Sequence, residues 1–261
     1  MSAAFKVLIF SRTMAYRHDS IPAGIRALHR LASASVSAVH HFIADDSEDA
    51  SICSPASLSA YRVIVLLQCS GEFLDSTQLD ALKGFVQSGG GIVAVHCASF
   101  GMHSSEWYGQ LIGAAFDNHP EPQLGRIQIL DPGHPVMTCK CASQGTNIGP
   151  AEDAQHVEPE RTWLDEWYNF KTHPRIASDG LNVLLAVDEK TYEGGMHGDD
   201  HPVAWCRTFD GGRCFYTSLG HFDEAYEDDW FMGQLLGGYS GLRGWHEPVR
   251  VDHSTLRELK L

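Results

Sequence analysis

GGGIVAVHCAS, residues 89–99, is the stretch on which the fold turns. Three glycines end a helix. Ile92 to Val95 then form an apolar run without polar alternation, as in a strand buried on both faces of a parallel sheet, and a polar turn beginning at His96 follows at once. Upstream, Arg62 to Leu67 (RVIVLL) reads as a third strand of the same kind, and Asp75 with Gln78 makes a capping box for a helix carrying Leu79, Leu82, Phe85 and Val86. The chain opens with Phe5 to Phe10 (FKVLIF), a buried first strand. Ser20-Ile21-Pro22 then starts a helix with Ile25, Leu28 and Leu31 on one face, and Val36 to Phe42 is expected as the second strand.

Downstream, Glu106 to Ile112 reads as helix and Gly125 to Leu130 as an alternating strand. From Asp131 to about Glu160 scattered proline and glycine predict an excursion, a lid or a surface loop. Strands follow at Thr162 to Phe170, Val183 to Val187, Val203 to Thr208 and Arg213 to Thr217, with a last full helix from about Asp223 to Leu236. Leu242 to Leu261 reads as a C-terminal extension that packs on the domain or on a second copy, leaving a homo-oligomer open. The pattern is that of one α/β domain over residues 1–261, with its core at about 5–240 and a mostly parallel sheet covered by helices on both faces.

Composition narrows the partners. Nineteen Lys+Arg against 33 Asp+Glu give a formal charge of −14, which repels nucleic-acid phosphates and anionic lipid. No apolar run approaches the roughly 20 residues of a membrane helix. Residues 1–10 carry one Lys and a short apolar run with no cleavage motif after it, and seven cysteines without a CxxC pair fit a reducing compartment. A cytoplasmic protein acting on a small molecule is expected. Fifteen histidines are more than packing requires, and each can carry a proton, bind a metal or donate a hydrogen bond near neutral pH.

In parallel α/β sheets ligands bind beyond the carboxyl ends of the strands. There the first strand leads to Tyr16-Arg17-His18, the strand at Ile92 to His96-Cys97-Ala98-Ser99, and the last strand to Ser218-Leu219-Gly220-His221. Three histidines from remote segments should therefore share one pocket. Each also has a plainer reading: His18 and His221 as parts of helix caps, His96 as a satisfied core histidine. Alternation through TWLDEWYNF, residues 162–170, puts Glu166, Tyr168 and Phe170 on one face, so Glu166 is either a general acid or base or an exposed edge carboxylate. Trp107, Tyr108 and His119 lie where rings could stack on a sugar or belong to the core.

The segments just quoted, with His119-Pro120, Asp165-Glu166-Trp167-Tyr168, Pro202-Val203-Ala204-Trp205 and the block GRCFYTSLGH at 212–221, resemble the ThuA-like (trehalose utilisation) family over residues 5–240. The resemblance implies a three-layer flavodoxin-like fold related to class I glutamine amidotransferases and a link to disaccharide or oxidised-sugar metabolism. It does not imply amidotransferase chemistry. Those enzymes carry their nucleophilic cysteine in a Gly-x-Cys-x-Gly turn, whereas here the text is Val95-His96-Cys97-Ala98-Ser99, with His96 at the nucleophile's place and the flanking glycines missing. Cys97 is either an inert buried thiol or, shifted by one residue, a nucleophile with His221 as its base.

The leading expectation is an enzyme acting on a disaccharide or keto-sugar by acid–base chemistry. His96, Glu166 and His221 would move protons; Tyr16, His18, Ser99, Trp107, Tyr108, His119 and Tyr168 would bind substrate. Such a site needs no cofactor if the substrate bears a carbonyl. In a variant, His18, His96, His221 and Glu166 ligate a zinc-like cation. A non-catalytic carbohydrate-binding or sensing protein on the same scaffold is the alternative.

Overall fold

The computed structural model describes residues 4–34, 41–140, 149–150 and 160–244. Nine strands form the main sheet: β1 (Phe5–Phe10), β2 (Phe42–Ser47), β3 (Val63–Leu67), β4 (Gly91–Val95), β5 (Gln123–Ile129), β6 (Glu160–Asp165), β7 (Asn182–Asp188), β8 (Pro202–Phe209) and β9 (Gly212–Thr217). Their order is β2-β1-β3-β4-β9-β8-β7-β5-β6. The pairings from β2 to β9 are parallel and those from β9 to β6 antiparallel, so only β8 and β5 run against the other seven strands.

Alternation through the strands feeds two cores. In β4, Val93 and Val95 face a layer containing Leu28 of α1 (Ile21–Ala34), and Ile92 and Ala94 face one containing Leu82 of α2 (Ser76–Gln87) and Leu111 of α3 (Glu106–Ile112). The last helix, α4 (Asp229–Gly244), lies with α1 through Phe231 and Leu235. The result is a three-layer α/β fold with helices on both faces. The capping box read at Asp75 and Gln78 is formed in full at the start of α2.

Four boundaries differ from the sequence reading. The second strand is Phe42–Ser47; residues 36–40 of the expected strand lie outside the described residues. It is an edge strand in which only Phe42 is buried, so water on its flank removes the apolar run that marks the inner strands. The segment 162–170 is not one strand: β6 ends at Asp165, and Asn169–Phe170 pair instead with Phe116–Asn118 in a separate two-stranded sheet. The last helix is divided into a 3₁₀ turn at Asp223–Glu227 and α4, because the Asp228 carboxylate caps the backbone N–H groups of Trp230 and Phe231. Of the expected excursion, Pro135–Thr138 is a short helix, while 141–148 and 151–159 lie outside the described residues, as does the extension from 245.

The antiparallel half is curled. Four strand spacings of about 4.8 Å would hold the ends of β9 and β6 roughly 19 Å apart in a flat sheet. Instead Asp165, the last residue of β6, accepts a hydrogen bond from the Gly220 N–H just past β9, at 2.9 Å. Twist accumulated over the arm brings its edge strand back over the carboxyl ends of the parallel strands.

Candidate active site

Each strand end that the sequence marked delivers one histidine. His18 follows β1 and precedes α1; it is 4% exposed. His96 starts a 3₁₀ turn at the end of β4 with φ 53°, the left-handed region in which a non-glycine residue is strained. His221 follows Gly220 beyond β9. Glu166 arrives from the curled arm, directly after β6. One ligand atom from each of the four lies within 4.8 Å of the others.

Hydrogen bonding fixes where the imidazole lone pairs point. His96 Nδ1–H donates to the Ser218 carbonyl at 2.6 Å, leaving Nε2 unprotonated in the neutral ring. That Nε2 lies 3.1 Å from His18 Nε2, 3.4 Å from Glu166 Oε2 and 2.9 Å from the Tyr168 hydroxyl. The Cys97 thiol donates to the Gln68 carbonyl at 3.1 Å and stands 3.4 Å from His18 Nδ1 on the far side of that ring from the cluster. His221 Nδ1 is 3.1 Å from Glu166 Oε2, but the carboxylate lies off the hydrogen-bonding direction, and this buried nitrogen has no hydrogen-bond partner among the described residues. His119, a third exposed, places Nε2 3.5 Å from Glu166 Oε1 at the mouth, with Nδ1 facing the Pro120 carbonyl.

The electrostatics follow from this crowding. Burial lowers the His18 pKa to about 4, against a partial lift from Glu166. For Glu166, burial acts to raise the pKa, yet the neighbouring His18, His221 and His96 hold the carboxyl far below the usual carboxylate range. Burial acts to lower His221, but the Glu166 carboxylate more than offsets it and the pKa is raised. Desolvation lifts the Cys97 thiol well above its usual range, which keeps it protonated and argues against a nucleophilic role.

A second histidine, His197, is also held at about 4, by burial first and then by His201 and His173. Both His18 and His197 have folded pKa values below the unfolded value of about 6.5, so the unfolded chain binds protons first as pH falls. Their contribution is complete above pH 6.5 and is lost between there and pH 4. It amounts to up to ~3 kcal/mol for His18 and less for His197, which is partly exposed. Urea unfolding at pH 7.5 and pH 4.5 should show this loss, and His197→Gln should reduce it; equal stability at the two pH values would contradict it.

The remaining expected site residues divide. Tyr16, 64% exposed, sets its ring edge-on to His18 at 4.7 Å between centroids, at the mouth. Tyr168 is fully buried and stacks on His96 at 4.4 Å. Ser99 is turned away: it accepts a hydrogen bond from the Tyr216 hydroxyl and, with Tyr108, lines a cavity of about 330 Å³ beside α3 that includes none of the four clustered residues. Tyr108 is core, its hydroxyl donating to the Ala98 carbonyl. Trp107 is remote, its indole N–H donating to Asp210 in the β8–β9 turn at the opposite end of the strands. Helix α3 turns Trp107 away from the strand ends and buries Tyr108 in the core against the turn that follows β4.

Two positions beside the cluster escaped the sequence reading. Gln68, directly after β3 and strained at φ 53°, donates to the Gly220 carbonyl at 2.7 Å and to the Tyr226 hydroxyl at 2.7 Å. Its signal was the same as for the histidines, a polar residue ending a buried run. Asp165 accepts backbone N–H bonds beside both Glu166 and His221. Its signal was the acidic pair Asp165-Glu166 at the end of an alternating strand.

The family model ThuA, described as trehalose utilisation, matches residues 6–240. Solved structures agree in fold. A ThuA-like protein from Bacteroides uniformis is 21% identical with TM-score 0.67, covering 93% of each chain. One from Parabacteroides merdae is 17% identical with TM-score 0.62, covering 92% of this chain and 89% of that one. A cytoplasmic protein from Salmonella typhimurium is 10% identical with TM-score 0.57, covering 90% and 97%. No curated protein matches the sequence. Among the described residues no helix is long and apolar enough to cross a membrane.

Proposed function

The chain belongs to the ThuA, trehalose utilisation, family, and from that premise we propose that it is a cytoplasmic enzyme acting on a disaccharide or keto-sugar at a centre where His18, His96, His221 and Glu166 hold a divalent cation. The observation that carries the reading is the convergence of four donor atoms within 4.8 Å at a place where the buried His221 Nδ1 has no hydrogen-bond partner among the described residues. A free acid–base set would satisfy that nitrogen with an N–H or O–H group. Nitrogen and oxygen donors about one point suit zinc or a similar first-row ion. His96 has the support such a ligand needs, its other ring nitrogen donating to a backbone carbonyl.

When bound, the cation would polarise a sugar carbonyl or hydroxyl oxygen and so acidify the neighbouring C–H or O–H bond. The chain's own residues then account for the rest. His119, a third exposed and with Nδ1 engaged by Pro120, offers Nε2 to take up and release that proton. The exposed Tyr16 ring gives an apolar wall for a sugar face at the entrance. Six free cysteines among the described residues fit a reducing compartment.

Elemental analysis of protein purified without chelator, followed by dialysis, tests the reading. About one divalent ion per chain is expected, lost on chelation and absent from His96→Ala. Metal-free protein that ignores added Co²⁺ yet turns over sugar would restore the acid–base set His96, Glu166 and His221 acting without a cation. Sugar binding in calorimetry with no product would leave a sensor.

A further inference from the structure

Asp165 is fully buried, and no cationic side chain lies against it among the described residues. Its two oxygens accept four N–H bonds instead: from the Trp163 indole at 2.9 Å, the Glu166 backbone at 2.9 Å, the Gly220 backbone at 2.9 Å and the His221 backbone at 3.3 Å. A carboxylate buried without a counter-ion persists only where such donors replace its hydration. The choice of donors is informative. One belongs to the residue that supplies the cluster's only carboxylate, and two belong to the turn that supplies its third imidazole.

These two segments come from strands four places apart in the sheet, and they meet where the curled arm returns. The Gly220 peptide is held from both ends, since its N–H goes to Asp165 while its carbonyl accepts from the Gln68 amide at 2.7 Å. Among the described residues the segments' own side chains approach each other directly at the 3.1 Å contact of Glu166 with His221, which is not a hydrogen bond. The arm is also held through Arg161 with Asp228 and Trp163 against Trp230 and Phe231, but none of these sets the separation of Glu166 from His221.

We infer that Asp165 is a positioning residue: its carboxylate ties the Glu166 backbone to the Gly220-His221 turn and so sets the separation of Glu166 from His221. The catalytic meaning of that separation rests on the cation-binding reading above; the tie itself rests on the hydrogen bonds alone. In Asp165→Asn an NH₂ group replaces one acceptor oxygen. Whichever way the amide is turned, an N–H faces two N–H donors, and one of the two segments must move.

The test uses crystal structures of the full chain without metal, together with Co²⁺ titration followed by absorption. In Asp165→Asn the Glu166–His221 approach should open by about 1 Å or more, with Co²⁺ binding weakened about 10–100-fold and its visible spectrum altered, as for groups that orient metal ligands. Trp163→Phe removes the one donor outside the two site segments and serves as the control for lost core stability; it should keep the separation and bind Co²⁺ within about threefold of wild type. If Asp165→Asn does not fold, Asp165→Glu, which keeps the acceptors but shifts them by one methylene, carries the same two readouts. An unchanged 3.1 Å approach with unchanged Co²⁺ binding overturns the inference, as does equal weakening by Trp163→Phe. If wild type binds no Co²⁺, the cation reading fails, and the separation in the crystal structures alone decides the role of Asp165.

Discussion

Glu166→Gln is expected to lower turnover of the sugar substrate by about 10²–10⁴-fold and, in metal-free protein at neutral pH, to lower stability as well. The two halves of this result have one cause. His18, His221 and His96 hold the Glu166 carboxyl far below the usual carboxylate range, so by linkage its ionised form stabilises the folded chain at neutral pH. A carboxamide is nearly the same shape but carries no charge for those rings to attract. Thermal unfolding of metal-free protein and turnover of disaccharide and keto-sugar candidates give the two readings. Retained turnover would remove Glu166 from the chemistry, and an unchanged or raised melting temperature would show that the histidines do not hold the carboxylate.

Gly220→Ala should be the most damaging small substitution in the site. Gly220 has φ 112°, outside the region that L side chains adopt, and an added Cβ would meet the Phe231 ring at 3.0 Å, the Tyr226 hydroxyl at 3.1 Å and Val95 at 3.3 Å. Backbone strain of this kind costs on the order of 1–3 kcal/mol. With the squeezed contacts added, and about 2–4 °C per kcal/mol for a chain of this size, a fall of roughly 5–15 °C in melting temperature follows. Relief of the strain by rotating the peptide would break its bonds to Asp165 and Gln68 and swing His221 out of the cluster. Gly84→Ala is the control of opposite sign: it lies in α2, its Cβ would meet nothing within 4 Å, and a gain of about 0.5–1 kcal/mol is expected. Equal melting temperatures for the two variants would contradict the account.

The histidines were legible because buried parallel strands announce their own ends. FKVLIF, GIVAV and GRCFYT each run without interruption into polar text, and the polar residues that follow have one place to go. The same logic applied to β3 would have found Gln68. Glu166 stands out in the sequence by its residue type and its aromatic neighbours, but it does not share a strand face with Tyr168, since the strand stops one residue earlier. Nothing in TWLDEWYNF distinguishes a strand that continues from one that breaks to enter a cleft, because the break is decided by Asp165 bonds to residues 55 and 56 positions away. Trp107 and Tyr108 were misplaced for a related reason. Sequence put them after a site strand, and only the setting of α3 shows which way the rings turn.

Curling of the antiparallel arm makes the centre a joint rather than a socket. Three of its donors stand on the rigid parallel half and the fourth is handed over by the sheet's far margin, so a molecule seated among them buckles one half to the other. Any slackening of that margin spoils binding, and by the reciprocity of linked equilibria any occupant tightens it. Affinity at this spot and cohesion of the arm are therefore one quantity measured from two sides.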